Sequence, residues 1–161
     1  MTKNILKQTV DALEHGAVPE WITDHAQRYQ LSGGREGHLW DSTAVGGTGM
    51  VPCLLLKTVG RKSGKAYVHP LLYAVDGDGY VIVASKGGSD SHPQWYHNLL
   101  ASPEVEIQVG PAVFTTRALL ASGEEHQRLW EVVTALYPTY RDYQANTTRV
   151  IPLFRLQGKS A

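Results

Sequence analysis

The residues best suited to chemistry begin at Gly60-Arg61-Lys62-Ser63-Gly64-Lys65, where three cations share one short turn between two apolar runs. An arginine offers a planar fork that suits phosphate or carboxylate, and a lysine adds a point charge. The flanking glycines permit positive φ, so backbone N–H groups can form a small anion nest. No acidic residue lies between Cys53 and Tyr73 to cancel that charge. The competing reading is a basic hairpin tip that is merely solvated.

Two further groups stand out. Ala84-Ser85-Lys86 runs into Gly87-Gly88, where a backbone without Cβ atoms can approach a planar ligand, and His92-Pro93-Gln94-Trp95-Tyr96-His97-Asn98-Leu99 follows as a helix with Trp95 and Leu99 on one face. Tyr137, Tyr140 and Tyr143 recur at intervals of three, which brings three phenols to one side of a helical segment that Pro138 must bend or restart. They could donate protons or line an apolar pocket; the alternative is a half-exposed aromatic patch.

Other candidates fall away. The basic turn is one residue short of a phosphate-binding P-loop and joins two strands rather than a strand and a helix. Gly46-Gly47-Thr48-Gly49 lacks the flanking strand and helix of a dinucleotide site, so it reads as loop. His92 and His97 are five apart, off the i,i+4 spacing, and no carboxylate cluster accompanies them, so no metal is expected. Ser85 and Ser89 lack a G-x-S-x-G elbow. Cys53 lies in an apolar run and reads as a buried structural thiol.

These residues need a sheet to position them. Pro52–Val59, Ala66–Asp76 and Gly79–Lys86 read as strands joined by short turns, and short links join antiparallel neighbours. Asp90 or Ser91 can cap the helix that follows, with Pro93 in its first turn. A hairpin around Gly110-Pro111 comes next. Ser122 with Glu125 has capping-box spacing ahead of a helix lined by Leu129, Trp130, Val133 and Leu136. Val150–Gln157 closes the chain as a strand. Upstream, residues 4–15 suit a short helix, Pro19 can begin a second through Trp21, Ile22, His25 and Tyr29, and a glycine-rich arm follows. The expected architecture is α+β: six or so mostly antiparallel strands in a barrel-like sheet over residues 51–161, preceded by N-terminal helices and the arm over residues 1–50.

The bulk composition narrows the function. The chain has 161 residues, with Lys plus Arg equal to Asp plus Glu at 15 each. Global charge therefore gives no basis for nucleic-acid binding, and any anion affinity is local. A single cysteine excludes an internal disulfide and fits a reducing cytosol. The N-terminus lacks a signal-peptide h-region, and no stretch approaches the roughly 20 apolar residues of a membrane span.

In series, LLLKTVGRKSG, HPLLYAVDGDGYVIVASKGG, HPQWYHNLLASPEVEIQVG, EHQRLWEVVTALYPTYRDYQ and TTRVIPLF resemble the deazaflavin-dependent nitroreductase family of actinobacteria, whose members use coenzyme F420. The resemblance runs from about Val51 to Leu156. It implies a split β-barrel of the flavin-reductase, FMN-binding type. It also implies hydride transfer from the reduced deazaflavin to an electron-poor small-molecule acceptor: a nitroaromatic, quinone or activated enone. By the same resemblance, Arg61, Lys62 and Ser63 match positions that hold the coenzyme's anionic phosphodiester and glutamyl tail. Tyr67, Val68, His69, Pro70, Leu71 and Leu72 match the flanking strand. Val83, Ala84, Ser85 and Lys86 match the strand end beside the ring. Gln94, Trp95, Tyr96, His97 and Asn98 match the helix that completes the site. Tyr140 matches a tyrosine near ring and acceptor and is the expected proton donor, with Ser85 contributing a hydrogen bond; Tyr137 and Tyr143 match substrate-pocket tyrosines. Tyr67 stands where an arginine is frequent, and Leu72 where some relatives have an aromatic. The alternatives are an FMN-dependent reductase on the same barrel and a non-catalytic deazaflavin carrier. The expected enzyme is cytoplasmic and supplied indirectly by an F420-reducing dehydrogenase. Monomer or homodimer, and membrane contact through the N-terminus, are both left open.

Overall fold

The structure, a computed structural model, describes residues 20–41 and 49–158, without the side chains of 20–23 and 41. The helix expected over 4–15 and most of the glycine run at 46–49 lie outside the described residues. Helix α1 (Glu20–Ser32) leads to the short strand β1 (Leu39–Asp41). The central strands are β2 (Met50–Val59), β3 (Ala66–Leu72), β4 (Ala74–Asp76) and β5 (Gly79–Val83). A 3₁₀ turn at Lys86–Gly88 precedes α2 (Gln94–Ala101). The hairpin β6 (Glu104–Val109) and β7 (Ala112–Leu120) follows, then α3 (Gly123–Leu136), α4 (Thr139–Ala145) and β8 (Leu153–Gln157).

All described pairings are antiparallel, in the order β1-β2-β6-β7-β8-β5-β4, with β3 on β2. The result is a curled half-barrel of the split-barrel type expected from the sequence, an α+β arrangement of sheet and flanking helices. The two-residue alternation of strands distributes the core. On β5 and β8, Val81, Val83 and Leu153 face a layer completed by Leu129 and Val133 of α3 and by Tyr137, Tyr140 and Tyr143. Their neighbours Ile82, Ala84, Phe154 and Leu156 face the opposite way, into a core with Leu54 and Leu56 of β2 and Trp95 and Leu99 of α2. The helices thus close the two faces of one sheet.

The amino-terminal part is tied to this sheet. The glycine-rich arm contains a strand that the sequence pattern did not reveal: β1 pairs with Met50–Pro52. Tyr29 of α1 is fully buried against Cys53 and Leu55. Its hydroxyl donates to the Cys53 carbonyl at 2.9 Å and accepts from the Gly110 N–H at 2.7 Å. Gly34 is required here: at φ +84, a Cβ on it would run into the Gly110 backbone. Cys53 is 3% exposed, and burial pushes its thiol up to about 12.

Three local expectations are corrected. The strand expected over Ala66–Asp76 breaks at Tyr73 into β3 and β4. The cap of α2 is Pro93, not Asp90 or Ser91, and no side chain closes it. Ser122 does cap α3, but it makes no side-chain cap bond; Glu125 pairs instead with Arg128 at 3.0 Å, so the capping box is not formed. Arg128 and Arg155 converge on Asp76, at 2.8 and 2.9 Å, and fasten α3 and β8 to the β4 hairpin.

Candidate active site

The β2–β3 turn, residues 60–65, is exposed, and its cations have no carboxylate partner among the described residues. Its shape is fixed by backbone bonds from Gly60 N–H to the Lys65 carbonyl (2.7 Å) and from Gly64 N–H to the Gly60 carbonyl (2.9 Å), with Gly64 at φ +72. Lys65 N–H also donates to Ser63 Oγ at 3.2 Å, and Ser63 Oγ lies 3.3 Å from the Tyr67 hydroxyl.

Arg61 is held by α2. Its Nη2 donates to Gln94 Oε1 at 2.8 Å, and its Nη1 and backbone N–H both donate to Asn98 Oδ1, at 3.1 and 3.2 Å. Both acceptors are neutral amides, so the guanidinium is oriented without losing its charge. Asn98, 4% exposed, passes the connection inward: its Nδ2 donates to Thr58 Oγ1 at 3.3 Å, which lies 3.1 Å from His69 Nε2. Burial lowers the His69 pKa to about 4, so the ring is neutral at physiological pH. His97 is also lowered, by burial first and then by the positive charges of Arg61 and Lys62. Two segments picked from sequence alone thus meet as one cationic surface.

The strand end at Ser85 forms the second part. Lys86 adopts φ +46, which is uncommon for a residue other than glycine, followed by Gly87 at +62 and Gly88 at +84. Lys86 Nζ donates to Ser91 Oγ at 3.1 Å. The close backbone approach expected at Gly87-Gly88 is made to the protein itself: a Cβ on Gly88 would fall 2.9 Å from the Tyr143 carbonyl oxygen. This contact seats the turn on α4.

The third part is the tyrosine layer. Tyr137, Tyr140 and Tyr143 are 2%, 5% and 2% exposed, which excludes the half-exposed patch considered above. Tyr137 and Tyr140 meet edge to face at 4.8 Å between centroids. Burial raises the pKa of all three phenols, so each keeps its proton across the neutral range. Leu72 packs against both this layer and the Tyr29–Cys53 cluster, which sets β3 beside the tyrosines.

The remaining expected residues divide between surface and core. Tyr67 and Val68 are exposed, and Pro70 and Leu71 are half-buried. Tyr96 lies against His92 (4.2 Å) and His97 (5.0 Å). Val83, Ala84 and Trp95 are core side chains, Trp95 packing on Phe154 at 6.0 Å. A groove of about 490 Å³, lined by residues 32–35, His38, Tyr73 and 109–111, shares none of the expected residues. Among the described residues no group of three His, Cys, Asp or Glu could hold a metal.

Thr58 and Arg149 are site-shaping residues that the sequence pattern missed. Thr58 reads as one more strand residue. Arg149 sits in a short link with no periodicity, and its partners are 57 to 65 positions away.

The donor set fits a cofactor with a polyanionic tail: the turn presents cations that no carboxylate pairs among the described residues, Arg61 held in place by two amides, and the neighbouring strand exposes Tyr67 and Val68 beside it. The fold that carries this turn is an antiparallel split half-barrel. The family model of F420H2-dependent quinone reductases matches residues 21–157, and the chain belongs to that family. An F420H2-dependent quinone reductase of Mycobacterium tuberculosis is 42% identical over 132 residues, which cover 80% of this chain and 84% of the relative. A solved F420-H2 dependent reductase is 40% identical with a TM-score of 0.62, covering 66% of this chain and 94% of that one. A second solved structure, described as a domain-swapped dimer, is 33% identical with a TM-score of 0.64, covering 86% and 98%.

Proposed function

We propose that the protein is an F420H2-dependent reductase acting on an electron-poor small molecule, with quinones as the first acceptor class and nitroaromatics and activated enones as further candidates. The observation that carries this reading is the Arg61 guanidinium, fixed by Gln94 and Asn98 yet free of any carboxylate among the described residues. Arg61, Lys62 and Ser63 hold the phosphate and glutamyl tail. The strand from Tyr67 to Leu72 flanks the coenzyme. Ser85 and Lys86 border its ring, and the helix from Gln94 to Asn98 backs the site. When bound, the reduced deazaflavin supplies the hydride. Tyr140 supplies a proton or hydrogen bond where negative charge builds on the acceptor, Ser85 adds a second donor, and Tyr137 and Tyr143 shape the apolar pocket. Burial holds the Tyr140 proton more firmly, which favours hydrogen-bond donation over outright proton transfer.

In this reading residues 51–161 form the coenzyme-binding unit and residues 1–50 an N-terminal accessory segment. The enzyme is cytoplasmic, its coenzyme reduced by a separate dehydrogenase. The dimeric relative favours a homodimer. Among the described residues no helix is long and apolar enough to cross a membrane.

The test mixes purified protein with reduced coenzyme F420 and menadione and follows the absorbance of the oxidised deazaflavin. Acceptor- and enzyme-dependent reoxidation is expected. Tight coenzyme binding without reoxidation by any quinone, nitroaromatic or enone would identify a carrier instead, and binding of FMN in preference to F420 would overturn the cofactor assignment.

A further inference from the structure

The turn after β5 is strained and polar, and one side chain gathers three of its backbone carbonyls. Arg149 Nε donates to the Ser89 carbonyl at 2.7 Å, Nη2 to the Ser85 carbonyl at 2.7 Å, and Nη1 to the Ala84 carbonyl at 3.1 Å. Nη1 also lies 2.9 Å from His92 Nδ1, which accepts as a neutral lone pair. Burial first, then the positive charges of Arg149 and His97, lowers the His92 pKa and keeps that acceptor available. The guanidinium is therefore hydrogen-bonded to backbone carbonyls and one imidazole, while the Asp90 carboxylate acts on it only through its charge.

Arg149 is itself braced from behind. Gln144 Nε2 donates to the Arg149 carbonyl at 2.7 Å, and the Ile151 N–H donates to Gln144 Oε1 at 3.0 Å. The link between α4 and β8 is thus a fixed mount for the fork. Three carbonyls converge on one cation, and the chain between them bends through Lys86, Gly87 and Gly88, all at positive φ. Three successive residues in the left-handed region are a costly conformation when one of them carries a side chain, and such a conformation persists only where its surroundings over-determine it.

We propose that Arg149 is the positioning residue of the coenzyme site. It sets the backbone of Ser85 and Lys86, and so the surface against which the ring of the coenzyme lies; this rests on the assignment of the Ser85 strand end to the ring. It touches neither coenzyme nor acceptor and acts through the turn. A lysine in its place keeps the charge but cannot reach three carbonyls and an imidazole in one plane.

The experiment compares wild type with Arg149→Met and Arg149→Lys. Amide hydrogen exchange without coenzyme should rise by about tenfold or more over residues 84–92 in Arg149→Met, and remain unchanged in β2 and β7. Affinity for oxidised F420 should fall by about tenfold, with Arg149→Lys between wild type and Arg149→Met. The far-ultraviolet circular dichroism should stay the same, which a general loss of structure would not allow. Exchange over 84–92 equal to wild type overturns the proposal. So does increased exchange with unchanged coenzyme affinity, because the turn would then be ordered by Arg149 but unused by the ring. Failure of the wild-type protein itself to bind F420 would instead remove the functional assignment, and with it the claim about the ring; the exchange arm would still report on the turn.

Discussion

The hydroxyl oxygens of Tyr137 and Tyr143 lie 3.1 Å apart, on either side of the break at Pro138 between α3 and α4. The bond joins the end of one helix to the body of the next inside the apolar layer. The Tyr137 hydroxyl also bonds the Thr139 side chain, so loss of the Tyr143 hydroxyl removes one of its two partners.

Tyr143→Phe should therefore lower stability by about 1 kcal/mol, and the double variant with Tyr137→Phe should cost less than the two single losses added. Urea denaturation midpoints of the four proteins measure the coupling. Strict additivity would mean that the bond contributes nothing.

Tyr140→Phe keeps the ring and its packing and removes only the donor. Turnover with menadione should fall about 10- to 100-fold with coenzyme affinity unchanged. The wild-type rate should show no loss from Tyr140 ionisation up to about pH 10, the ordinary tyrosine value, because burial raises this phenol above it. Stopped-flow reoxidation across pH reads both effects.

Replacing Arg61 and Lys62 together by alanine should weaken F420 binding by about tenfold or more and flatten its salt dependence. A deazaflavin riboside without phosphate and glutamates should bind both proteins equally. Fluorescence titration with the two ligands separates a lost tail contact from a damaged site.

His69 links acidity to folding. Its folded pKa of about 4 lies below the ordinary histidine value near 6.5, so the unfolded chain takes up a proton that the native one refuses. Stability should be full above pH 6.5 and decline as pH falls toward 4, by at most about 3 kcal/mol from this residue. His69→Gln should lose that part of the slope in chemical denaturation at pH 7 and pH 5.

Much of this site was legible because its parts are local. The basic turn between two apolar runs, the helix beginning at Pro93 and the three-residue tyrosine spacing each carry their signal within about a dozen residues. Their meeting was less legible: Arg61 finds Gln94 and Asn98 across 33 and 37 positions, a pairing fixed by the sheet's curl rather than by any pattern. Arg149 lies within the TTRVIPLF stretch, but its role did not show, because an arginine in a short link looks the same whether it is solvated or bonded to four partners. Strand β1 was obscured by its glycine-rich surroundings, and Ser122 caps α3 as expected but without the capping-box bonds, because Glu125 has a cationic partner at hand in Arg128. Local chemistry favoured the capping box, and an ion pair won.

The seam where Tyr29 covers Cys53 gives the protein an internal clock. A thiolate attacks a maleimide, and a sulfur 3% exposed whose proton is held to about pH 12 offers almost no thiolate at neutral pH. Labelling must then wait for α1 to lift from β2, so at maleimide concentrations where modification outpaces reclosing the rate at this single sulfhydryl counts those openings one by one.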